Sequence, residues 1–333
     1  MKNINIKQNN YWRKKMEYKG FGLGCMSLST ADQAESSAVI HTALDEGISF
    51  LNTGDFYGSG ESEMAVGEAL KGYSREKYYI SVKFGALTMP NGGLYSLDVH
   101  PDRIKNYLTH SLKRLKLDYI DLYQPCRIDL GIPVEETIGA ISDLVKEGYV
   151  RHIGLSQVDS ETIKRAQAVH KIELVEMEYS LFNRGIEKDI LSTARKLDIG
   201  VVSFGTLAHG LLSGSWTKER LKHGEFPLHM MSPLLSKENV EKNIEFVENL
   251  DQIANEKNVS VSQLAHAWIL SKGDDIIPLI GTSKVKHLKN SLESKNLFLS
   301  EEDIQRIENA VPQDKISGES LRRMQFKNGV IVR

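Results

Sequence analysis

This sequence has little cysteine, no long apolar run and no marked excess of charge of one sign. Only two cysteines, Cys25 and Cys126, occur in 333 residues, which is typical of a reducing compartment. No apolar run approaches the roughly 20 residues that span a bilayer. The formal net charge of −2 provides no basic field for a nucleic acid. We therefore expect a cytoplasmic protein with neither a membrane nor a nucleic-acid partner.

The N-terminal segment lacks the apolar stretch of a secretory signal, because it is polar and basic. Residues 1–20 show no helical or strand periodicity, and we expect an extension with little defined structure. Residues 21–312 then form a single domain, since the length of the chain suits one α/β barrel. We interpret residues 313–333 as a C-terminal tail over the mouth of that barrel.

Short apolar segments alternate with amphipathic helical segments along the domain. The first strand, FGLGC, is rich in glycine, which suits a buried strand where backbones crowd. The predicted strands are Phe21–Cys25, Ile48–Leu51, Lys77–Phe84, Tyr119–Tyr123, Val150–Ser156, Ile172–Tyr179, Ile199–Phe204 and Ile276–Ile280. The predicted helices are Ala31–Glu46, Glu61–Lys71, Pro101–Lys116, Val134–Lys146, Ser160–Val169, Ile186–Lys196, Lys237–Glu256, Val261–Ser271, Val285–Leu292 and Ser300–Val311, with a long loop over 205–235.

Eight strands in alternation with helices predict a parallel sheet with right-handed crossovers, closed into a (β/α)8 TIM barrel. The alternative is an open doubly wound sheet, which carries G-x-G-x-x-G after its first strand. Here the first strand gives Gly22-Leu23-Gly24-Cys25-Met26-Ser27, without the third glycine. The barrel is therefore the predicted fold, in the α/β class and with one domain.

Polar side chains follow the second and third predicted strands, at the ends where such barrels place their active groups. Asn52, Asp55 and Tyr57 come after the second strand, and Lys83 lies at the end of the third. A tyrosine beside a lysine is a plausible acid–base pair. The sequence has no Walker, HExxH or CxxC motif, so phosphoryl transfer by a P-loop, metal hydrolysis and thiol redox chemistry lack support and no metal site is predicted.

Three motifs carry a family resemblance. Residues 52–58 read N-T-G-D-F-Y-G, residues 63–70 read E-M-A-V-G-E-A-L, and residues 150–156 read V-R-H-I-G-L-S. They resemble the D-T-A-x-x-Y-G, N-E-x-x-x-G-x-A-L and V-R-x-I-G-x-S patterns of the aldo-keto reductases. The resemblance runs from about Phe21 to about Pro312. It implies a TIM barrel, an NADP(H) cofactor across the barrel mouth and reduction of a small-molecule carbonyl substrate.

The resemblance also implies catalytic roles. Tyr57 corresponds to the family tyrosine that protonates the substrate oxygen, and Lys83 to the lysine that lowers its pKa. A nearby cation favours tyrosinate, which brings a phenol of pKa about 10 closer to working pH. Two positions differ: Asn52 stands where the family has aspartate, and Cys126 where it has histidine. Asp55 is interpreted as a turn residue that could also replace the missing anion.

Cofactor contacts follow from the resemblance in the same way. Ser156, Gln157 and Glu176 correspond to residues near the nicotinamide carboxamide, and Phe204 to the ring that stacks on nicotinamide. The helix N-terminus after strand eight, beside Lys284, is independently a ready anion site, and serine and lysine there favour a 2′-phosphate. Two further segments are implied. Gly205, Leu207 and His209 correspond to the loop that wraps the pyrophosphate, and Gly281, Ser283 and Asn290 correspond to residues near the adenosine.

Two other functions stay open at this point. The altered Asn52 and Cys126 favour a catalytically weak or inactive NADP(H)-binding regulatory or structural protein. A barrel lyase or isomerase that uses Lys83 as a Schiff-base amine is a second alternative. Cys126 is interpreted as lining the substrate pocket, because no histidine–aspartate partner for a nucleophilic thiol is evident. The sequence names neither a particular carbonyl substrate nor an oligomeric state.

Overall fold

The computed structural model describes residues 20–224, 232–319 and 324–332. Its centre is a closed barrel of eight parallel strands, in which each strand pairs with its neighbours in sequence and the last pairs with the first. This confirms the predicted (β/α)8 TIM barrel. The strands are β1 (Gly22–Gly24), β2 (Phe50–Gly54), β3 (Tyr79–Phe84), β4 (Ile120–Pro125), β5 (Val150–Ser156), β6 (Ile172–Glu178), β7 (Gly200–Phe204) and β8 (Ile276–Gly281).

Helices surround the barrel and cover its outer face. None of the described helices is long and apolar enough to cross a bilayer. In chain order they are α1 (Gln33–Asp45), α2 (Glu61–Ala69), α3 (Pro101–Leu115), α4 (Val134–Lys146), α5 (Ser160–Val169), α6 (Ile190–Lys196), α7 (Lys218–Lys222), α8 (Lys237–Glu256), α9 (Val261–Ser271), α10 (Val285–Leu292) and α11 (Glu301–Ala310).

The strand ends were predicted less well than the helices. The prediction for β2 ended at Leu51, but Asn52, Thr53 and Gly54 continue the strand by pairing with β3. β4 likewise continues to Pro125. The apolar pattern stops early in both strands because polar residues occupy their carboxyl ends. These are the ends that carry the candidate site.

Two short hairpins were missed and one predicted loop is partly helical. Strands Ala86–Thr88 and Leu94–Leu97 pair after β3, and strands Gln325–Lys327 and Val330–Val332 pair near the C-terminus. Strands of three or four residues are too short for a clear alternation. The predicted loop 205–235 contains a 3-10 segment, Ala208–Ser213, and α7. Predicted helix Ile186–Lys196 begins only at Ile190, after a separate 3-10 turn.

The C-terminal hairpin contacts loops on the mouth side of the barrel. The Asn328 and Gly329 N–H groups donate to the two carboxylate oxygens of Asp129, which follows β4, at 2.7 and 2.5 Å. The Leu97 N–H donates to the Gly329 carbonyl at 3.1 Å. The position of the whole tail over the mouth stays a prediction. Nearly all of the predicted N-terminal extension lies outside the described residues.

Two glycines are required by close packing. A Cβ on Gly22 in β1 would lie 2.7 Å from the Leu279 side chain and 2.8 Å from that of Phe50, inside the barrel. A Cβ on Gly67 in α2 would lie 2.7 Å from the Leu115 carbonyl oxygen. The glycine of the E-M-A-V-G-E-A-L motif therefore allows α2 to approach the end of α3.

The barrel interior is arranged in layers. Apolar side chains fill one layer, namely those of Phe50, Tyr79, Leu122, Leu174, Val202, Ile277 and Leu279. Because alternate residues of a strand share a face, the next inward positions toward the mouth are polar in β2, β4 and β6. They are Asn52, Gln124 and Glu176, and all three are buried. Lys83 of β3 faces the same space and completes a polar layer above the apolar one.

Candidate active site

Lys83 is the centre of this polar layer. Its ammonium Nζ donates to Asn52 Oδ1 at 2.5 Å and to Glu176 Oε1 and Oε2 at 2.9 and 3.2 Å. Only 4% of Lys83 is exposed, so water contributes little to the solvation of its charge. A buried cation of this kind needs a nearby anion. Glu176 supplies that anion from β6, on the far side of the barrel interior from β3.

Glu176 is held by neutral donors as well as by Lys83. Its Oε2 accepts hydrogen bonds from Asn52 Nδ2 at 2.8 Å and from Gln124 Nε2 at 2.7 Å. Ser81 Oγ accepts from the same two amides at 3.2 and 3.3 Å. The carboxylate is thus fixed by three side chains from three different strands. This leaves it little freedom to rotate away from Lys83.

Tyr57 lies beside this ion pair, at the start of the turn that follows β2. The Lys83 Nζ lies 5.1 Å from the centroid of the Tyr57 ring and interacts with its hydroxyl. Burial raises the pKa of Tyr57, and the Lys83 charge partly offsets this rise. Burial alone would lower the pKa of Lys83, but Glu176 and Tyr57 outweigh it and raise that pKa. The site therefore pairs a protonated phenol with a charged ammonium.

Asp55 does not contact Lys83 through its carboxylate. Its backbone N–H donates to the Lys83 carbonyl at 2.9 Å, and its Oδ2 accepts from the Gly85 N–H at 3.3 Å. Burial, followed by the nearby Glu63 carboxylate, raises the pKa of Asp55 to about 7. Asp55 therefore holds the turns after β2 and β3, and it is Asn52 that contacts the lysine.

Cys126 follows β4 at the edge of the site. It is 4% exposed, and its N–H donates to the Phe84 carbonyl at 2.9 Å. Burial raises the pKa of its thiol to about 12, so the sulfur is neutral at physiological pH. A neutral, buried thiol behaves as a small apolar side chain that lines the site, and it is not a nucleophile.

Comparisons with known proteins agree with this geometry. The profile described as "Aldo/keto reductase family" matches residues 21–312. A probable aldo-keto reductase 1 from Glycine max is 36% identical over 308 residues, which cover 91% of this chain and 88% of the relative.

The chain belongs to the aldo/keto reductase family.

Two solved structures place the fold in the same family. A glycerol dehydrogenase from Gluconobacter oxydans superimposes with a TM-score of 0.79 at 28% identity, covering 89% of this chain and 93% of that one. The holo form of an aldo-keto reductase from Bacillus halodurans gives a TM-score of 0.73 at 29% identity, with 88% and 92% covered. This chain is thus similar to oxidoreductases over almost its whole length.

The residues expected to bind the nicotinamide lie around the same mouth. Ser156 ends β5 next to Glu176 in register, and its buried Oγ has no hydrogen-bond partner among the described residues. Phe204 ends β7 and packs on the apolar layer of the interior. Gln157 Oε1 accepts from the Glu178 N–H at 2.9 Å. A buried hydroxyl without a partner at the end of β5 and an aromatic ring at the end of β7 are groups that suit the carboxamide and ring of a nicotinamide.

The loop after β7 is tied to β6. His209 Nε2 lies 2.8 Å from Glu178 Oε1, and His209 has a φ of 55°. Gly205, at a φ of 66°, lies beside the same carboxylate. Leu207 is half-buried against the core. This short loop brings the predicted pyrophosphate-binding segment to the carboxyl end of β6.

The predicted adenosine-binding segment lies after β8. Gly281 ends that strand, and Ser283 precedes α10. The Lys284 Nζ lies 3.5 Å from Glu35 Oε2 and its side chain is half-exposed. Asn290 donates through Nδ2 to Ser262 Oγ at 3.2 Å. Lys284 therefore remains accessible to solvent beside Glu35, whereas Asn290 is engaged with α9.

Sequence reasoning missed Gln124 and Ser81, and it expected Glu176 at the cofactor. The structure directs Glu176 at Lys83, Asn52 and Gln124 instead. The alternation within β4, in which Gln124 shares a face with Leu122, was the signal that could have found Gln124. No such signal pointed to the contact between Glu176 and Lys83, since 93 residues separate the two in sequence.

Proposed function

We propose that this protein is an NADP(H)-dependent reductase that converts a small aldehyde or ketone into an alcohol. The observation that carries the proposal is the Lys83 ammonium, which lies between the Tyr57 phenol and the Glu176 carboxylate. This arrangement provides a proton donor whose conjugate base is stabilised by an adjacent fixed cation. Membership of an oxidoreductase family supports the reaction type.

Tyr57 acts as the general acid. The carbonyl carbon gains a hydride and the carbonyl oxygen takes the proton of the Tyr57 hydroxyl, so that an alcohol forms and a tyrosinate remains. The Lys83 ammonium stabilises this tyrosinate. The same hydroxyl stabilises negative charge on the carbonyl oxygen as it develops. Because burial raises the pKa of Tyr57, the phenol stays protonated before the reaction.

A nicotinamide cofactor would supply the hydride when bound. Ser156 would bind its carboxamide through the orphan Oγ, and Phe204 would pack on its ring. Ser283 and Lys284 would bind a 2′-phosphate, since a half-exposed ammonium near a helix N-terminus favours an anion. We therefore propose NADP(H) as the cofactor.

Cys126 shapes the substrate site without taking part in proton transfer. It stands where related enzymes carry a histidine, and its thiol is neutral and buried. A thiol is smaller than an imidazole and a weaker hydrogen-bond donor. We propose that the carbonyl oxygen is oriented mainly by Tyr57, which favours substrates that need little further polar guidance.

The raised pKa of Lys83 argues against Schiff-base chemistry. A nucleophilic lysine must be neutral at working pH, whereas Glu176 holds Lys83 as an ammonium. The inactive cofactor-binding alternative was suggested by Asn52 and Cys126. Its argument from Asn52 is weakened, because Lys83 keeps a carboxylate partner despite that replacement.

An assay of cofactor binding and turnover tests the proposal. NADPH is titrated against protein fluorescence, and NADPH consumption is then measured at 340 nm with a panel of aldehydes and ketones. Binding with turnover is expected, and Tyr57→Phe should lower kcat by about 100-fold or more while binding is retained. Tyr149→Phe, an exposed tyrosine at the start of β5, is the matched control. Tight binding without turnover on any carbonyl would establish the inactive alternative.

A further inference from the structure

One carboxylate faces Lys83 inside the barrel, and it comes from an unexpected strand. Related enzymes carry an aspartate at the position of Asn52 in β2, one strand away from Lys83. Here that position is a neutral amide, and the anion is Glu176 of β6. The Glu176 side chain is 3% exposed, and the Lys83 side chain 5%. The electrostatic requirement of the lysine is therefore met from across the barrel.

Asn52 serves both members of the ion pair. Its Oδ1 accepts from Lys83 at 2.5 Å, and its Nδ2 donates to Glu176 Oε2 at 2.8 Å. An aspartate at position 52 would place a second carboxylate beside Glu176 and would remove the Asn52 Nδ2 donor that now bonds to Glu176 Oε2. Two carboxylates that share a buried site repel one another and one becomes protonated. The neutral amide at position 52 is therefore compatible with a charged carboxylate at position 176.

We infer that Glu176 is the positioning residue that holds Lys83 charged and directed at Tyr57. We call the arrangement a charge exchange, because the carboxylate that related enzymes carry at position 52 is an amide here and a carboxylate stands at position 176 instead. This inference rests on the proposed function, since it gives Glu176 its role in the same proton transfer. Gln124 supports the exchange by donating to Glu176 at 2.7 Å. Glu176 touches neither the substrate oxygen nor the transferred proton, and it acts through Lys83.

The exchange makes a specific prediction about two substitutions that change the charge of the site in opposite directions. Glu176→Gln should lower kcat by about 100-fold, because the ammonium loses its anion. Asn52→Asp in the native background should also lower kcat, since it adds a second buried carboxylate. In the Glu176→Gln background, Asn52→Asp should instead raise kcat by about tenfold or more. Such a reversal of sign is the signature of two coupled positions.

A pH profile separates positioning from a structural role. The charged or titratable groups near Lys83 and Tyr57 are Glu176, Arg127 and the thiols of Cys25 and Cys126. Removing the Glu176 charge lowers the pKa of both Lys83 and Tyr57, because both are raised by that anion. The alkaline limb of kcat/KM for reduction should therefore move to lower pH in Glu176→Gln. In the double variant Asn52→Asp/Glu176→Gln, the alkaline limb should return toward its wild-type pH.

Glu173→Gln is the matched control. Glu173 is a buried glutamate of the same strand, and it pairs with Lys171 and His152 at 3.1 and 3.7 Å. It lies near the amino end of β6, whereas Glu176 lies near the carboxyl end of that strand, at the mouth. Its loss should lower stability without moving the alkaline limb. A shift of the limb in Glu173→Gln equal to that in Glu176→Gln would overturn the inference.

Urea unfolding of the same four proteins gives a readout that needs no turnover. The wild type, the two single variants and the double variant form a cycle in which positions 52 and 176 should be coupled. Additive effects together with an unchanged alkaline limb in Glu176→Gln would overturn the exchange.

If Glu176→Gln does not fold, the double variant decides: folded and active protein supports the exchange, and folded but inactive protein contradicts it. A wild type that turns over no carbonyl would instead remove the proposed function, while coupling in the unfolding cycle would still support the ion pair.

Discussion

Glu176 Oε1 lies 2.9 Å from Lys83 Nζ, although 93 residues separate the two in sequence. This contact explains how a member of the aldo/keto reductase family can carry asparagine at position 52. A buried lysine without a counter-ion would lose its proton or move away from Tyr57. The carboxylate of β6 prevents both, and the Tyr57–Lys83 pair keeps the charges that the proposed carbonyl reduction needs.

Asp55→Asn should stabilise the protein at neutral pH. Burial and Glu63 raise the pKa of Asp55 from 3.8 to about 7, and its Oδ1 has no partner among the described residues. The folded state therefore holds a proton that the unfolded chain releases, and wild-type stability falls as pH rises from about 4 to about 7. The variant lacks this penalty, and we expect a gain of roughly 1–3 kcal/mol at pH 8.

Urea unfolding at pH 4.5 and pH 8 measures this effect. The advantage of Asp55→Asn should be small at the lower pH and complete at the higher. Asp143→Asn, an exposed carboxylate on α4, is the control and should follow the wild type at both. A variant less stable than the wild type at pH 8 would show that the Asp55 carboxylate has a partner that stabilises its charge.

Neither cysteine should react in the native protein. Cys25 is 0% and Cys126 4% exposed, and burial raises the pKa of both thiols to about 12. Since the thiolate is the reactive form, an aromatic disulfide reagent at pH 8 should release no rapid colour. In urea two thiols should react, and in Cys126→Ser only one. Fast reaction of one native thiol would contradict the description of Cys126 as a buried, neutral side chain.

Gly67→Ala should destabilise the barrel, whereas Gly139→Ala should not. A Cβ at residue 67 would lie 2.7 Å from the Leu115 carbonyl oxygen, so α2 and α3 would have to separate. We expect a loss of about 1–3 kcal/mol. A Cβ at residue 139 in α4 meets nothing within 4 Å, and alanine there should add about 0.5–1 kcal/mol through helix propensity. Thermal or urea unfolding of the two variants gives the comparison, and equal effects would contradict the packing of α2 on α3.

The sequence was sufficient for the fold because its pattern is local. Helices α4, α5, α8, α9 and α10 begin and end at the predicted residues, and so does β5. Ser300 caps α11 and forms a capping box with Asp303. Apolar periodicity, proline and glycine positions and capping residues act over a few residues, so one sequence contains them in full.

The site was only partly predictable because its chemistry depends on contacts across the barrel. Tyr57, Asn52 and Lys83 were expected together, since neighbouring strands bring their carboxyl ends to one mouth. Whether Asn52 or Asp55 would contact Lys83 was not decided by spacing. The pairing of Lys83 with Glu176 joins β3 to β6, and only the closed barrel brings these strands face to face.

A crystal structure with NADP(H) bound tests the central claim most directly, because the cofactor would lie against the same strand ends. The account predicts that the Glu176 carboxylate and the Lys83 ammonium remain within about 4 Å of one another, with Asn52 bonded to both. Glu176 turned toward the nicotinamide carboxamide, with Lys83 left to another partner, would contradict it.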